Sequence, residues 1–262
     1  MISLQTLLAL LSGAAVGFSL GIIGGGGSIL AVPLLLYVVG VKDPHLAIGT
    51  SALAVSLNAF VNLMSHWRAG NVHWPCAILF GAASAFGAAI GSTLGILVSG
   101  EKLLFLFALV MIAAGIAVLR PRAAGGEACG VKVDSRIAWR LGWLGLGAGL
   151  VSGFFGIGGG FMVVPGIMLG SGLPILNAIG SSLFSVGTSG LATAINYALS
   201  GFVAWGIAGE FVAGGAIGGF FGMRAAVRLA GKKRALTYLF AGIVFTVAAY
   251  MLIRSGALLF LH

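Results

Sequence analysis

A water-soluble surface cannot be assembled from this chain. Only 7% of its 262 residues are charged, 14 Lys or Arg and 5 Asp or Glu, where soluble domains carry about 25%. Hydrophobic residues make up 60% and the mean hydropathy is +1.14. Glycine, at 45 residues, lies far above its usual share of about 7% and shows no collagen-like period. Glycine is also more frequent in membrane helices than in soluble ones. These features define an all-α polytopic membrane protein and exclude a cytosolic enzyme, a nucleic-acid binder and a disordered chain. The net charge of +9 and pI near 10.3 then read as positive loops facing the cytoplasm. Cys76 lies in an apolar run and Cys129 in a charged linker. Neither has a His or Cys at metal-ligand spacing, so no metal or cofactor is expected. The N-terminal apolar run lacks the Lys or Arg of a signal peptide and recurs later, so it belongs to the mature fold.

The chain contains itself twice. GIIGGGGSILAVP, from Gly21 to Pro33, aligns with GFFGIGGGFMVVP, from Gly153 to Pro165, at an offset of 132. Upstream, Gly13 and Gly17 match Gly145 and Gly149. Downstream the offset is 131: Gly49-Thr50-Ser51 matches Gly180-Ser181-Ser182, Gly70 and Trp74 match Gly201 and Trp205, and Gly87 and Gly91 match Gly218 and Gly222. Order kept over about 100 residues marks a duplication. The chain therefore divides into an N-terminal repeat half (1–119), a cytoplasmic linker (120–140) and a C-terminal repeat half (141–262).

Each half holds about four to five apolar segments. Those after the glycine clusters, near 28–40 and 160–170, are shorter than the roughly 20 residues a spanning helix needs. They read as Gly-broken short helices or re-entrant hairpins, which leaves about eight full transmembrane helices. Two loops are rich in Lys and Arg: the linker, with Arg120, Arg122, Lys132, Arg136 and Arg140, and the stretch with Arg224, Arg228, Lys232, Lys233 and Arg234. The positive-inside rule puts both in the cytoplasm. Crossing parity then makes the halves inverted repeats with both termini outside, an arrangement typical of secondary transporters.

No Asp, Glu, Lys or Arg falls at mid-membrane depth in this segmentation, which disfavours a pump built on a carboxylate relay. Two other features suit an anion. The clusters Gly24, Gly25, Gly26, Gly27 with Ser28, and Gly156, Gly158, Gly159, Gly160, precede short helices. Unwound amides and a helix N-terminus attract negative charge there, although glycines also serve close packing. The third segment of each half carries a polar stripe: Ser51, Asn58, Asn62 and Ser65, then Ser182, Ser185, Ser189, Thr193 and Asn196. The two glycine clusters, the stripe residues other than Ser65 and Asn196, and Thr50 and Ser181 form the candidate substrate-binding set, against the plainer role of joining helices. The small-xxx-small ridges Gly13/Gly17/Gly21, Gly87/Gly91/Gly95, Gly145/Gly149/Gly153 and Gly214/Gly218/Gly222 read as packing surfaces. His66, Trp67 and His73 flank a turn and read as interfacial residues rather than proton carriers, though His66 ends the polar stripe. Gly187-Thr188-Ser189-Gly190 has the form of an intramembrane serine protease motif, but no His is placed to serve it and the repeat counterpart of Ser189 is Asn58. No catalytic residue is assigned.

The duplicated glycine cluster with its short apolar helix and Pro, followed by Gly-Thr-Ser or Gly-Ser-Ser, resembles the TauE/SafE family over nearly the whole chain. That resemblance implies about eight spans and an exporter of sulfite, organosulfonates or a related small anion. Its second cluster departs to Gly-Ile-Gly-Gly-Gly, so the half-sites need not be equivalent. The expectation is a secondary transporter, not an enzyme, in the bacterial inner membrane, working by alternating access between two halves. The alternatives are a passive anion channel of the same architecture and, far behind, the protease. Its partners are a small anionic substrate and the lipid bilayer, with no nucleic acid. The sequence leaves open the coupling ion (proton or sodium) and a homo-oligomer.

Overall fold

A computed structural model describes residues 4–119, 133–156, 160–228, 242 and 244–253. The described residues form helices and no strands. The long helices are α1 (Leu4–Ile23), α3 (Pro44–Arg68), α4 (Trp74–Leu97), α5 (Gly100–Leu119), α6 (Ser135–Phe155), α8 (Ile175–Leu199) and α9 (Trp205–Arg228). Two shorter pieces follow α1 and α6. The first is a 3-10 segment (Gly24–Leu30), a single α turn α2 (Ala31–Pro33) and a π turn (Leu34–Val38); the second is α7 (Gly160–Ser171). A last helix, α10, covers Val244–Ile253. Five of these are long and apolar enough to cross a membrane by length and composition: Leu4–Ile22, Pro44–Arg68, Trp74–Leu97, Ile175–Leu199 and Trp205–Ala225.

Local chemistry sets the helix ends. Asp43 caps α3, accepting from the amides of His45 at 2.8 Å and Leu46 at 3.3 Å, with Pro44 fitting the first turn. Asp134 caps α6 by accepting from Ile137 N at 2.8 Å. That cap starts the helix at Ser135, ahead of the apolar run at 141, so Arg136 and Arg140 ride on its first turns. α6 stops at Gly156, whose φ of +66° suits a residue without Cβ.

Close glycine contacts reveal the helix directions. Gly13, Gly17 and Gly21 of α1 sit against Phe211, Gly215 and Met223, so α1 and α9 run the same way. Gly145, Gly149 and Gly153 of α6 sit against Phe80, Ser84 and Ala88, so α6 and α4 also run together. Asn58 and Asn62 of α3 meet Gly215 and Gly219, aligning α3 with α9. Gly81 of α4 meets Phe184 and Thr188, and Gly95 meets Tyr197, aligning α4 with α8. Against α8, in contrast, α3 is antiparallel: Gly49 lies beside Tyr197, Gly190 beside Ser56, Gly187 beside Phe60 and Gly180 beside Asn71. Thus α1, α3 and α9 point one way and α4, α6 and α8 the other. The first helix of each half packs on the fourth helix of the other half.

Because α1 and α3 are parallel, the chain between them must return. The 3-10 segment folds back on α1, with Gly27 against Ser19 and Leu20, and Gln5 Nε2 donates to the Val39 carbonyl at 3.4 Å near the start of α1. A 3-10 segment rises about 2.0 Å per residue against 1.5 Å for an α-helix, which lets so short a segment recover most of the length. α7 makes the matching return along α6: it follows Gly156 at the end of α6 and brings Gly170 to Leu141 near its start.

Outward-facing side chains are apolar, for example Leu7 and Leu11 on α1, Phe86 and Ile90 on α4, and Ile217 and Phe221 on α9. A surface of this kind suits lipid.

Candidate functional site

The α3–α8 crossing forms the centre. Ser56 Oγ donates to the Gly187 carbonyl at 2.6 Å, and the two residues are 131 apart, the downstream repeat offset. The bond therefore joins a position to its own counterpart. Matched contacts run outward on either side. The hydroxyl of Thr50 accepts from Ala204 N at 3.0 Å, and that of Ser181 accepts from His73 N at 2.9 Å. Each satisfies an amide just before the first residue of a helix, α9 or α4. Ser51 Oγ shares its proton between the carbonyls of Ile48 at 2.8 Å and Gly156 at 3.2 Å. Ser182 Oγ donates to the Ile179 carbonyl at 2.7 Å, and Gly24, with φ +73°, rests on Ile179 and Ser182. Ser51 and Ser182 thus each stand beneath the glycine turn of the opposite half.

Those turns lie at opposite ends of the bundle, one near the start of α8 and the other near the start of α3. Between them the 3-10 segment, which carries Gly25, Gly26, Gly27 and Ser28, packs on α7 and α8. Ser28 is fully buried. Gly160 begins α7, and Gly158 and Gly159 lie outside the described residues. Further along the stripes, Asn62 Nδ2 donates to the Asn58 carbonyl at 2.9 Å, Ser189 Oγ to Ser185 at 2.8 Å and Thr193 Oγ1 to Ser189 at 3.0 Å. Asn196 Nδ2 reaches Ser92 and Thr93 of α4, both at 2.8 Å.

What remains is a set of buried polar atoms without hydrogen-bond partners: Asn58 Oδ1 and Nδ2 and the hydroxyls of Ser84, Ser152 and Ser185. Each unmade bond costs roughly 1–3 kcal/mol, so several in one fold call for an explanation. Asn58, Ser84 and Ser185 all lie near the middle of their helices. Asn58 covers Gly215, which meets Gly17; Ser84 meets Gly149, the counterpart of Gly17. Ser84 and Ser152 are absent from the sequence-based set. Both sit among the small residues of glycine ridges, where a serine looks like one more packing residue. The signal that distinguishes them is an unpaired hydroxyl.

His66 departs from the interfacial reading. Its ring is buried, at 2% exposure, with neither nitrogen paired, while the adjacent Trp67 is half exposed. The stripe face turns His66 inward; Trp67, one residue on, turns out toward the boundary. Its repeat counterpart Tyr197 is fully buried with an unpaired hydroxyl. Among the described residues no Asp, Glu, Lys or Arg is buried, and no group of His, Cys, Asp and Glu is arranged to hold a metal ion.

An all-helical bundle with a lipid-suited exterior and neutral polar groups at its centre is a multi-pass membrane transporter in class. The chain belongs to the family described as Sulfite exporter TauE/SafE, which matches residues 9–251. It is 47% identical over 256 residues to a probable membrane transporter protein of Xylella fastidiosa, covering 97% of this chain and 98% of that one. It is 26% identical over 209 residues to the probable membrane transporter protein YdhB of Bacillus subtilis, covering 79% and 85%. A probable membrane transporter protein of Haemophilus influenzae is 28% identical over 207 residues, covering 76% and 75%. No solved structure matches the chain.

Proposed function

We propose that the chain is a secondary transporter of a small monoanion in the bacterial inner membrane, exchanging access between two inverted repeats. Sulfite, an organosulfonate or a small carboxylate has the required chemistry. The observation that carries this reading is the combination of opposed counterpart helices with unpaired neutral polar groups at mid-helix depth. α1, α3 and α4 oppose α6, α8 and α9 in direction, and the Ser56–Gly187 contact joins positions that the sequence repeat makes equivalent. In this reading the full spans number eight, namely α1, α3, α4, α5, α6, α8, α9 and the apolar sequence segment 235–253 that holds α10, and the two short pieces return alongside α1 and α6. Arg68, Arg136, Arg140 and Arg224 share the end of the bundle assigned to the cytoplasm.

With no Lys or Arg buried among the described residues, Asn58, Ser84 and Ser185 supply donors, assisted by Asn62, Ser189, Thr193 and Ser28. Backbone amides of the 3-10 segment at Gly24–Gly27 add fractional positive charge. So neutral a site favours a compact monoanion over a dianion, whose larger desolvation it cannot offset. Purified protein in proteoliposomes tests this with sulfite, alkanesulfonates and carboxylates, with and without a pH gradient. Saturable flux with accumulation is the expected result. Flux that neither saturates nor accumulates identifies a channel, and no flux with any of these anions removes the reading.

A further inference from the structure

We propose that His66 binds a coupling proton, taken up together with the substrate monoanion, so that the pair crosses without net charge. This rests on the transport reading above and adds the identity of the coupling ion.

Asn58, Asn62 and His66 follow one another at four-residue spacing, so they lie on one face of α3. None is more than 2% exposed. Asn62 Nδ2 bonds the Asn58 carbonyl at 2.9 Å, and His66 continues the line to the cation-rich end of α3. A polar file thus runs from mid-bundle toward one aqueous face.

Among the described side chains, no charged group is positioned to serve this ring. α1 has no titratable residue, and neither does the short segment Gly27–Val38 apart from Tyr37, whose ring packs on Tyr250. On α9, Arg224 is exposed and stacks over Phe220 at 3.8 Å, and Glu210 is bonded by Thr6 at 2.8 Å near the other end. On α3 itself, Arg68 is exposed and His45 lies at the far end. α5 carries Glu101 and Lys102 at its start, beside the start of α3. α8 contributes only Tyr197, also at the far end. His73, before α4, accepts from Cys76 N through Nδ1.

An imidazole left unpaired here is costly if its task is packing, since an apolar ring fills the space without unmade bonds. Its task follows from what an imidazole can do that the Tyr197 phenol cannot: bind a proton and become a cation. The proton passes from water to a ring nitrogen; no other bond forms or breaks. The resulting imidazolium is a buried cation in need of a counter-charge. A monoanion among Asn58, Ser84 and Ser185 supplies it. Proton and anion therefore raise each other's affinity by the same factor. Because the other half carries Tyr197 at the equivalent position, the proton site exists at one end only.

The test uses the full chain in proteoliposomes with a trapped pH dye. Methanesulfonate serves as first probe because it stays a monoanion across this pH range, so any pH response belongs to the protein; sulfite is the second. Wild type should carry one proton per methanesulfonate and accumulate it about tenfold per pH unit at equilibrium, by mass action. His66→Gln and His66→Tyr, the latter repeating the residue of the other half, should exchange anion across the membrane more slowly and lose both the dye signal and the accumulation. Anion flux without proton movement in wild type overturns this proposal alone, whatever the variants do. Undiminished accumulation in a folded His66→Gln protein does the same. Absence of flux with every anion in wild type overturns the transport reading and this proposal with it.

Discussion

Thr50 and Ser181 show what a hydroxyl in an apolar bundle can be for. Each accepts an amide from just before a helix of the opposite half, at 3.0 and 2.9 Å. Thr50→Val and Ser181→Ala leave that amide unpaired, and each should cost roughly 1–3 kcal/mol. Thermal unfolding in detergent checks this: both variants should melt earlier by similar amounts, and an unchanged midpoint would mean that water has replaced the hydroxyl. Ser185 should behave in the opposite way, because its hydroxyl has no partner to lose. Ser185→Ala should leave the melting point unchanged or raise it while weakening the anion. A hydrogen bond to a charged group is worth about 1.5–3 kcal/mol, so the KM for flux should rise by about 10-fold or more. All three were legible in the sequence as candidates, Ser185 on the polar stripe and Thr50 and Ser181 in the matched Gly-Thr-Ser and Gly-Ser-Ser triplets. Their division into backbone clamps and unpaired donors was not, because serine is the same letter in both roles and only the partner distinguishes them. His66 was misplaced for a related reason: next to Trp67 and Arg68 it reads as a boundary residue, and only the direction of its side chain puts it inside.

The helices assemble through glycine ridges, and here spacing was informative while partnership was not. A four-residue glycine period announces a face that another backbone will approach, but carries no mark of which backbone. α1 takes α9 and α6 takes α4, so neither half packs by itself. A side chain at Gly17 would run into the Gly215 carbonyl, and one at Gly13 into that of Phe211. Gly17→Leu should therefore push α1 off α9, costing several kcal/mol as an overpacked contact against rigid backbone. At Gly142 and Gly206 a Cβ would meet no other atom within 4 Å; Gly142→Leu and Gly206→Leu should be accepted with changes near zero. Size-exclusion profiles and melting points of the three variants separate these outcomes, and equal behaviour would mean that the ridge is not a packing surface. The short pieces were legible in length alone. The first returns through a 3-10 stretch, which its glycines permit without specifying, and a π turn over Leu34–Val38 that no glycine marks; the second returns as the α-helix α7. The start of α6 was hidden because Arg136 and Arg140 look like loop residues until Asp134 is recognised as a cap.

At the scale of the whole molecule, the parity of crossings inferred from charge and the directions inferred from glycine contacts are independent arguments. Charge requires that the two basic loops share a side; it does not depend on any contact. The contacts place the end of α3, the start of α4, the start of α6 and the end of α9 together, through Trp67 against Trp74, Gly145 against Phe80 and Gly21 against Met223; they do not depend on any charge. The contacts group the helix ends and the charge assigns one group to the cytoplasm; that proposed sidedness can be tested with small probes. Ala69 and Ser135 are exposed at the basic end, and Ser99 and Ser200 are exposed where α4 and α8 finish. Cys129 is replaced by Ser and Cys76, which is buried, is kept. A single cysteine at 69 or 135 should then react with a membrane-impermeant maleimide only in inside-out vesicles, and one at 99 or 200 only in right-side-out vesicles or intact spheroplasts. Labelling of 69 and 135 from opposite sides would break the shared end. Labelling of 99 from the same side as 69 would make α4 a hairpin rather than a span. Either pattern would remove the opposed directions on which the inverted-repeat form of alternating access depends, because two halves that face the same way cannot exchange inward and outward states by trading conformations.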